Sequence, residues 1–361
     1  MHMQYKRLLK TFLELVRIDS PSGREEKVIK YVVSALGSIG AKCSVDKEGN
    51  IYTALGDKNF NPVLLSCHLD TVEAGGSIVP VVTKNGVIRS KTDTILGADN
   101  KVAVAITLEI LRLMAEQKIK SRVEAVFSTR EETDGGIRKF DFKKVQSNIG
   151  ILADRAAPLG GIVMSSPSIL DFDIKIKGKS SHCAVPEKGI NALTATTYLL
   201  SNLKTGKIDR YTTLNIGLIK GGTAVNTIPE SVFLSGSLRS FSNKSFEKVQ
   251  KKIEILLENI KRDYNIKYDS DFDLYCRGYN YKKTDKAVKR VVYALRRAKV
   301  KPKFEVSFGV SDANAFVEHG IKVVNINDGS KYAHTSKESI SISSLNKLFD
   351  IYIEYIKAEI I

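Results

Sequence analysis

His68 and Asp70 stand two apart in Ser66-Cys67-His68-Leu69-Asp70-Thr71-Val72, directly after the apolar run Pro62-Val63-Leu64-Leu65. Alternation along a strand puts both on one side and Cys67 on the other. Similar side chains recur in similar places. Asp99 lies in Leu96-Gly97-Ala98-Asp99-Asn100-Lys101 ahead of a helical pattern, and Glu131-Glu132 follow the strand-like run 122–128. Asp154 ends the apolar run 149–153, and His334 follows the run 321–326. Imidazole nitrogens with carboxylate oxygens are a donor set for zinc or a similar divalent cation. Each residue alone has a plainer explanation. A loop histidine is usually solvated, Asp99 could be a helix N-cap, and Glu131-Glu132 with Asp134 could be a solvated acidic turn. His319 reads as surface near a helix end, and His2 as part of an N-terminal remnant.

The elements that must position these residues follow from periodicity. Helices are expected over 4–18 and 24–37, the second opened by Ser22-Gly23-Arg24-Glu25 in a capping-box pattern. Strands are expected near 42–46, 51–55, 62–67, 122–128 and 149–153, with a helix over 100–117. Strands alternating with helices of this length predict a doubly wound, mostly parallel sheet. Ligands of such sheets gather beyond the carboxyl ends of the strands, where these acids and histidines fall. Together on one sheet edge they are a poor match to coincidence.

After Pro167 the pattern changes. Strand 170–177, helix 189–204, strands 211–219 and 230–239, helix 244–262 and strand 267–275 make the order βαββαβ of a ferredoxin-like unit. From about 284 the first pattern resumes, with helices over 284–299 and 343–358, strands 303–307 and 321–326, and a short helix after Asp312. The expected organisation is one α/β domain, 1–167 and 280–361, interrupted by an inserted domain, 168–279.

The 361 residues suggest two domains, and 43% hydrophobic with 27% charged residues is ordinary for a globular protein. No apolar run approaches the roughly 20 residues of a membrane span. Four scattered cysteines predict a reducing cytoplasm rather than a disulfide framework. The net charge of +16 raises a nucleic-acid surface, but in helices such as 244–262 acids alternate with the lysines, so no nucleic-acid partner is expected.

With these motifs in order, the chain resembles the dizinc exopeptidase and deacylase family that includes peptidase T, glutamate carboxypeptidase, succinyl-diaminopimelate desuccinylase and acetylornithine deacetylase. His68-Leu69-Asp70-Thr71-Val72 resembles its His-x-Asp-Thr-Val, and Gly97-Ala98-Asp99-Asn100-Lys101 its Gly-Ala-Asp-Asn-Lys. Ser128-Thr129-Arg130-Glu131-Glu132-Thr133 resembles its segment with a threonine ahead of paired glutamates, and 151–163 the strand ending in the fourth ligand. In the inserted domain, 178–192 resembles Gly-Lys-x-x-His-x-x-x-Pro-Glu-x-Gly-x-Asn-Ala, and 221–240 the Asn-x-Ile-Pro and Arg-Ser block. Ser311-Asp312-Ala313-Asn314 and His334-Thr335-x-x-Glu338 complete the series. The long stretch between Asp70 and Asp99 is similar to the peptidase T-like branch.

The resemblance implies two divalent metal ions, zinc first with manganese or cobalt as alternatives. Asp99 would bridge them, with His68 and Asp154 on one and Glu132 and His334 on the other. It implies Asp70 as the acid behind His68, Glu131 as general base, and His182 as oxyanion donor from the partner of a homodimer built through the inserted domain. Asn226 and Arg239 would hold a substrate carboxylate. The implied activity is release of the N-terminal residue from short peptides, tripeptides in particular. The alternatives are a carboxypeptidase or N-acyl-amino-acid deacylase with the same mechanism, and a non-catalytic basic binding protein on the same fold. Arg155, Val310 and Thr133-Asp134 depart from the family pattern and bear on the substrate.

Overall fold

The computed structural model describes residues 3–358; His2 lies outside them. The chain divides into two compact units, one built by the chain up to Met164 and from Tyr281 on, the other by Ser165–Asn280. Among the described residues no helix is long and apolar enough to cross a membrane.

In the first unit, Val63–His68 is buried along its whole length. It runs parallel to Arg122–Ser128 on one side and Ile149–Ala153 on the other, and Lys322–Ile326 is parallel to Ile149–Ala153. Continuous Val, Leu and Ile suit strands covered on both faces. The flanks are antiparallel: Ile51–Gly56 on Arg122–Ser128, Cys43–Val45 on Ile51–Gly56, and the strand from Gly161 on Lys322–Ile326. The sheet is therefore mixed, with a parallel centre whose carboxyl ends lie together.

Ala98–Ala115 is the central helix, buried almost all round. A helix hydrophobic on every side belongs inside, which is why it lacks the amphipathic stripe of a surface helix. Its first turn is irregular: Gly97 is left-handed (φ 72°), and Asp99 and Asn100 depart from helical dihedrals.

Two features differ from the sequence expectations. Ser22 is no capping-box residue. Its hydroxyl donates to Asp70 Oδ2 at 2.7 Å, while the helix begins at Glu26 without a side-chain cap. Glu25 instead accepts the backbone N–H groups of Gly23 and Arg130, each at 3.0 Å. A second, four-stranded sheet also stands in two stretches that carried no expected element, 80–90 and 330–341. It joins Pro80–Val82, Val87–Ser90, Ser339–Ser341 and Ser330–Lys331, and pairs Ser339 with Arg89. These strands are too short for their alternation to register in sequence.

The second unit has the βαββαβ order with one short edge strand added, Gly206–Lys207, so that its five strands lie in the order Gly206–Lys207, Thr212–Gly221, Ser231–Ser240, Ser168–Lys177, Lys267–Cys276. Ser168–Lys177 alternates buried and exposed residues, as a sheet covered on one face requires. The buried face packs on Ala192–Asn202 and Asn243–Tyr264 through Leu170, Phe172, Ile174, Leu199, Ile253 and Leu257. Both helices are capped from sequence: Asn191 Oδ1 accepts from Leu193 and Thr194, and Ser242 Oγ from Ser245.

Candidate metal centre

The parallel centre of the sheet delivers its acids and histidines to one place. His68 closes Val63–His68 and is 1% exposed. Its Nε2 lies 3.3 Å from Asp99 Oδ1 and 3.5 Å from Asp154 Oδ1. On the other side of Asp99, His334 Nε2 lies 3.6 Å from Oδ2 and 2.8 Å from Glu132 Oε1. The donor atoms of His68, Asp99 and Asp154 fall within 4.8 Å of one another, and so do those of Asp99, Glu132 and His334. Asp99 belongs to both groups. Glu131 forms a third such group with His68 and Glu132.

The donors fit a cation. Nε2 of His68 and Oδ1 of Asp99 are buried without a hydrogen-bond partner, although they face each other at 3.3 Å. Asp99 is no N-cap: Gly97 holds that position, and the helix start has no side-chain cap. Two imidazoles with three carboxylates form the mixed nitrogen and oxygen set of a divalent metal.

Charge crowding points the same way. Burial drives the Glu131 carboxyl well above its ordinary range, and the charge of Asp154 adds to it. Burial also pushes Asp154 up to about 7 against the opposing His68. Burial raises Asp99 as well, but the His334 and His68 imidazoles on either side bring it well below the usual carboxylate range. The carboxylates of Asp99, close by, and of Glu132, hydrogen-bonded, raise His334 to about 10. An electrostatically poor cluster of this kind is suited to added positive charge.

The support around the centre is specific. His68 Nδ1 lies 3.1 Å from the main-chain oxygen of Asp70 and 3.5 Å from its Oδ1. The main-chain oxygen is the nearer partner, because the carboxylate accepts Glu131 N and Glu132 N at 3.0 Å each and the Ser22 hydroxyl. One aspartate therefore backs the histidine and fixes the loop carrying both glutamates. Glu338, 2% exposed, accepts Leu96 N at 2.8 Å, Gly97 N at 2.7 Å and Asp99 N at 3.1 Å. Asn325 clasps the Asp154 backbone through both side-chain atoms at 3.1 Å. Asp312 accepts from Ser128. Arg155 is turned onto Glu305, so its charge is paired there.

Sequence reasoning gave no role to Glu338, Asp312 or Asn325. Glu338 and Asp312 stand inside family-like motifs, Glu338 four residues after His334 and Asp312 two before Asn314, and that was the available signal. Asn325 carried none, since its partner is main chain.

Within the second unit, His182 is exposed, not buried as a structural histidine would be, and its Nδ1 accepts Ala184 N at 3.2 Å. That leaves Nε2 to carry the proton of the neutral ring. The His182–Thr227 bridge and the bond from Cys183 N to Asn226 O (2.9 Å) bring Asn226 beside it. Arg239 is elsewhere. The 222–229 loop precedes Ser231, which pairs with Lys177, whereas Arg239 pairs with Ile169 at the far end of the same strands. Eight residues at about 3.3 Å each separate the two ends by roughly 26 Å.

Residues 165–265 match the peptidase dimerisation domain family, and residues 50–152 match peptidase family M28. The chain is 30% identical to YqjE of Bacillus subtilis, an uncharacterized protein, over 98% of both chains. The solved aminopeptidase PepT of Bacillus cereus superposes with a TM-score of 0.88 at 28% identity, covering 98% of each chain. The chain belongs to the M20 family of metallopeptidases and deacylases. A succinyl-diaminopimelate desuccinylase of Pelagibacter ubique is 25% identical over 95% of this chain and 96% of its own. As an M20 protein with this cluster, the chain is a metal-dependent hydrolase. The expected α/β catalytic fold and ferredoxin-like insertion are both present.

Proposed function

We propose that this hydrolase is a two-metal exopeptidase that releases the N-terminal residue of short peptides, tripeptides first, in the cytoplasm. The observation that carries the reading is the shared Asp99, set between His68 and Asp154 on one side and Glu132 and His334 on the other. Asp99 would bridge two cations, and zinc is the first choice for this donor set. When bound, the pair supplies a Lewis acid for the scissile carbonyl and makes a water acidic enough to attack it.

The chain's own residues do the rest. Glu131 is left out of the two ligand triads, sits against them, and is held high by burial. It takes the proton of the attacking water and passes it to the leaving amine. His182 Nε2 donates to the carbonyl oxygen as it gains charge. Asn226 and Arg239 hold a substrate carboxylate, which suits the forked guanidinium.

The separation of Arg239 from His182 and Asn226 supports a dimeric site. An extended tripeptide spans about 10 Å and cannot touch both ends of one copy of this sheet. Serving one substrate, they would come from different copies, which agrees with the dimerisation-domain match.

The desuccinylase relative supports a second reading, an N-acyl-amino-acid deacylase with the same chemistry. A panel of tripeptides, N-blocked dipeptides and acyl amino acids decides between them. Preferred cleavage of free-amine tripeptides is expected, and hydrolysis confined to acylated amino acids would reject the aminopeptidase.

A further inference from the structure

We propose that the surface around the helix Lys286–Arg297 binds single-stranded nucleic acid. Residues 282–303 contain ten lysines and arginines against one acid, Asp285. Arg290 is buried on the carbonyls of Tyr355 and Ile356, and the other nine cations are exposed or nearly so. Asp285 is already paired with Lys322 at 3.1 Å. The alternation of acids and bases that argued against nucleic acid over 244–262 is missing here.

The cations surround a cleft of 550 Å³ lined by Lys283, Lys289, Tyr293, Arg296, Arg297 and Phe304. Arg297 has an acid nearby, Glu354 at 3.4 Å. Among the described residues Lys283, Lys289 and Arg296 have no ion-pair partner within 4.0 Å. Lys283 Nζ sits 4.5 Å over the Phe304 ring, and Tyr293 remains 43% exposed in the same cleft. A merely solvated basic face has no use for exposed rings. An acidic peptide would use the charges and leave the rings idle. A base stacked on Tyr293 with its phosphates on the lysines and arginines uses both. The cleft holds about one nucleotide, and Lys286, Lys299, Lys301 and Lys303 extend the charge beyond it, so a strand fits better than a free nucleotide.

The test is fluorescence anisotropy of the full-length protein with a labelled twelve-residue oligodeoxythymidylate over a salt series. Saturable binding that weakens with salt is expected. Tyr293→Ala should weaken it about tenfold with the salt slope unchanged. Tyr293→Phe, which keeps the ring, should retain it. Arg296→Glu should weaken binding and flatten the slope, with thermal melting as the control for folding. Several results would overturn the proposal: no saturable binding, Tyr293→Ala and Arg296→Glu both binding as the parent, or polyglutamate competing as well as the oligonucleotide. ATP displacing the probe as well as the unlabelled strand, per nucleotide, would also overturn it in favour of a small-nucleotide site.

Discussion

The Glu338 carboxylate accepts the main-chain N–H of Asp99 at 3.1 Å, with the N–H groups of Leu96 and Gly97 on its other oxygen. The residue that would bridge two metals is thus aimed by an acid 239 positions away. The small sheet makes this possible by pairing Ser339 with Arg89. Glu338→Gln keeps the size but presents a donor where three N–H groups need acceptors. Metal affinity should fall by about 10–100-fold, measured by competition with a chromogenic chelator. Unchanged affinity would reduce Glu338 to a fold-stabilising role.

Glu131→Gln should keep its metal, because Glu131 lies outside both triads that share Asp99. Turnover should fall by roughly a hundredfold or more. Near-parent turnover would mean that another group takes the proton. Asp99→Ala should lose metal instead.

Asp154 gives a pH-dependent signature. Its carboxyl is pushed up to about 7 by burial, against about 3.9 unfolded. Between these values the metal-free native state binds more protons than the unfolded chain. The stability contribution is therefore full below about pH 4 and lost as pH rises through 7, by at most about 4 kcal/mol. In metal-free protein at pH 8, Asp154→Asn should raise the melting temperature. The same variant should gain less stability than its parent when zinc is added, since only the Asp99, Glu132 and His334 group keeps all its donors. A metal-free variant less stable than its parent at pH 8 would contradict the charge-crowding account.

Mixing tests the dimeric site. Glu131→Gln and His182→Ala should each be nearly inactive, yet mixed dimers contain one site with both intact residues. Random exchange makes half the dimers mixed, each with one working site of two, so about a quarter of parent activity should return. No recovery after demonstrated subunit exchange would place His182 in its own copy's site or outside catalysis.

Much of this was legible in the sequence because long apolar strands and amphipathic helices leave strong periodic signals. Val63–His68 and Arg122–Ser128 announce themselves as buried strands, and their carboxyl ends carry His68 and Glu131-Glu132. What sequence missed is held by contacts across long separations. Strands of two to four residues carry Glu338 to Asp99. Ser22 looked like a helix cap because Glu25 follows three residues later, yet both side chains serve the Asp70 and Arg130 loops. Nor could sequence tell that His182 and Arg239, which share one domain, stand at opposite ends of its strands.

The central claim is that two cations, bridged by Asp99, power peptide hydrolysis. The most direct measurement is tripeptide turnover by chelator-stripped protein as zinc is returned, with metal content measured at each step. The account predicts no turnover in the stripped protein and a rise that is complete near two ions per chain. Full turnover in metal-free protein, or a maximum reached at about one ion or fewer per chain, would contradict it.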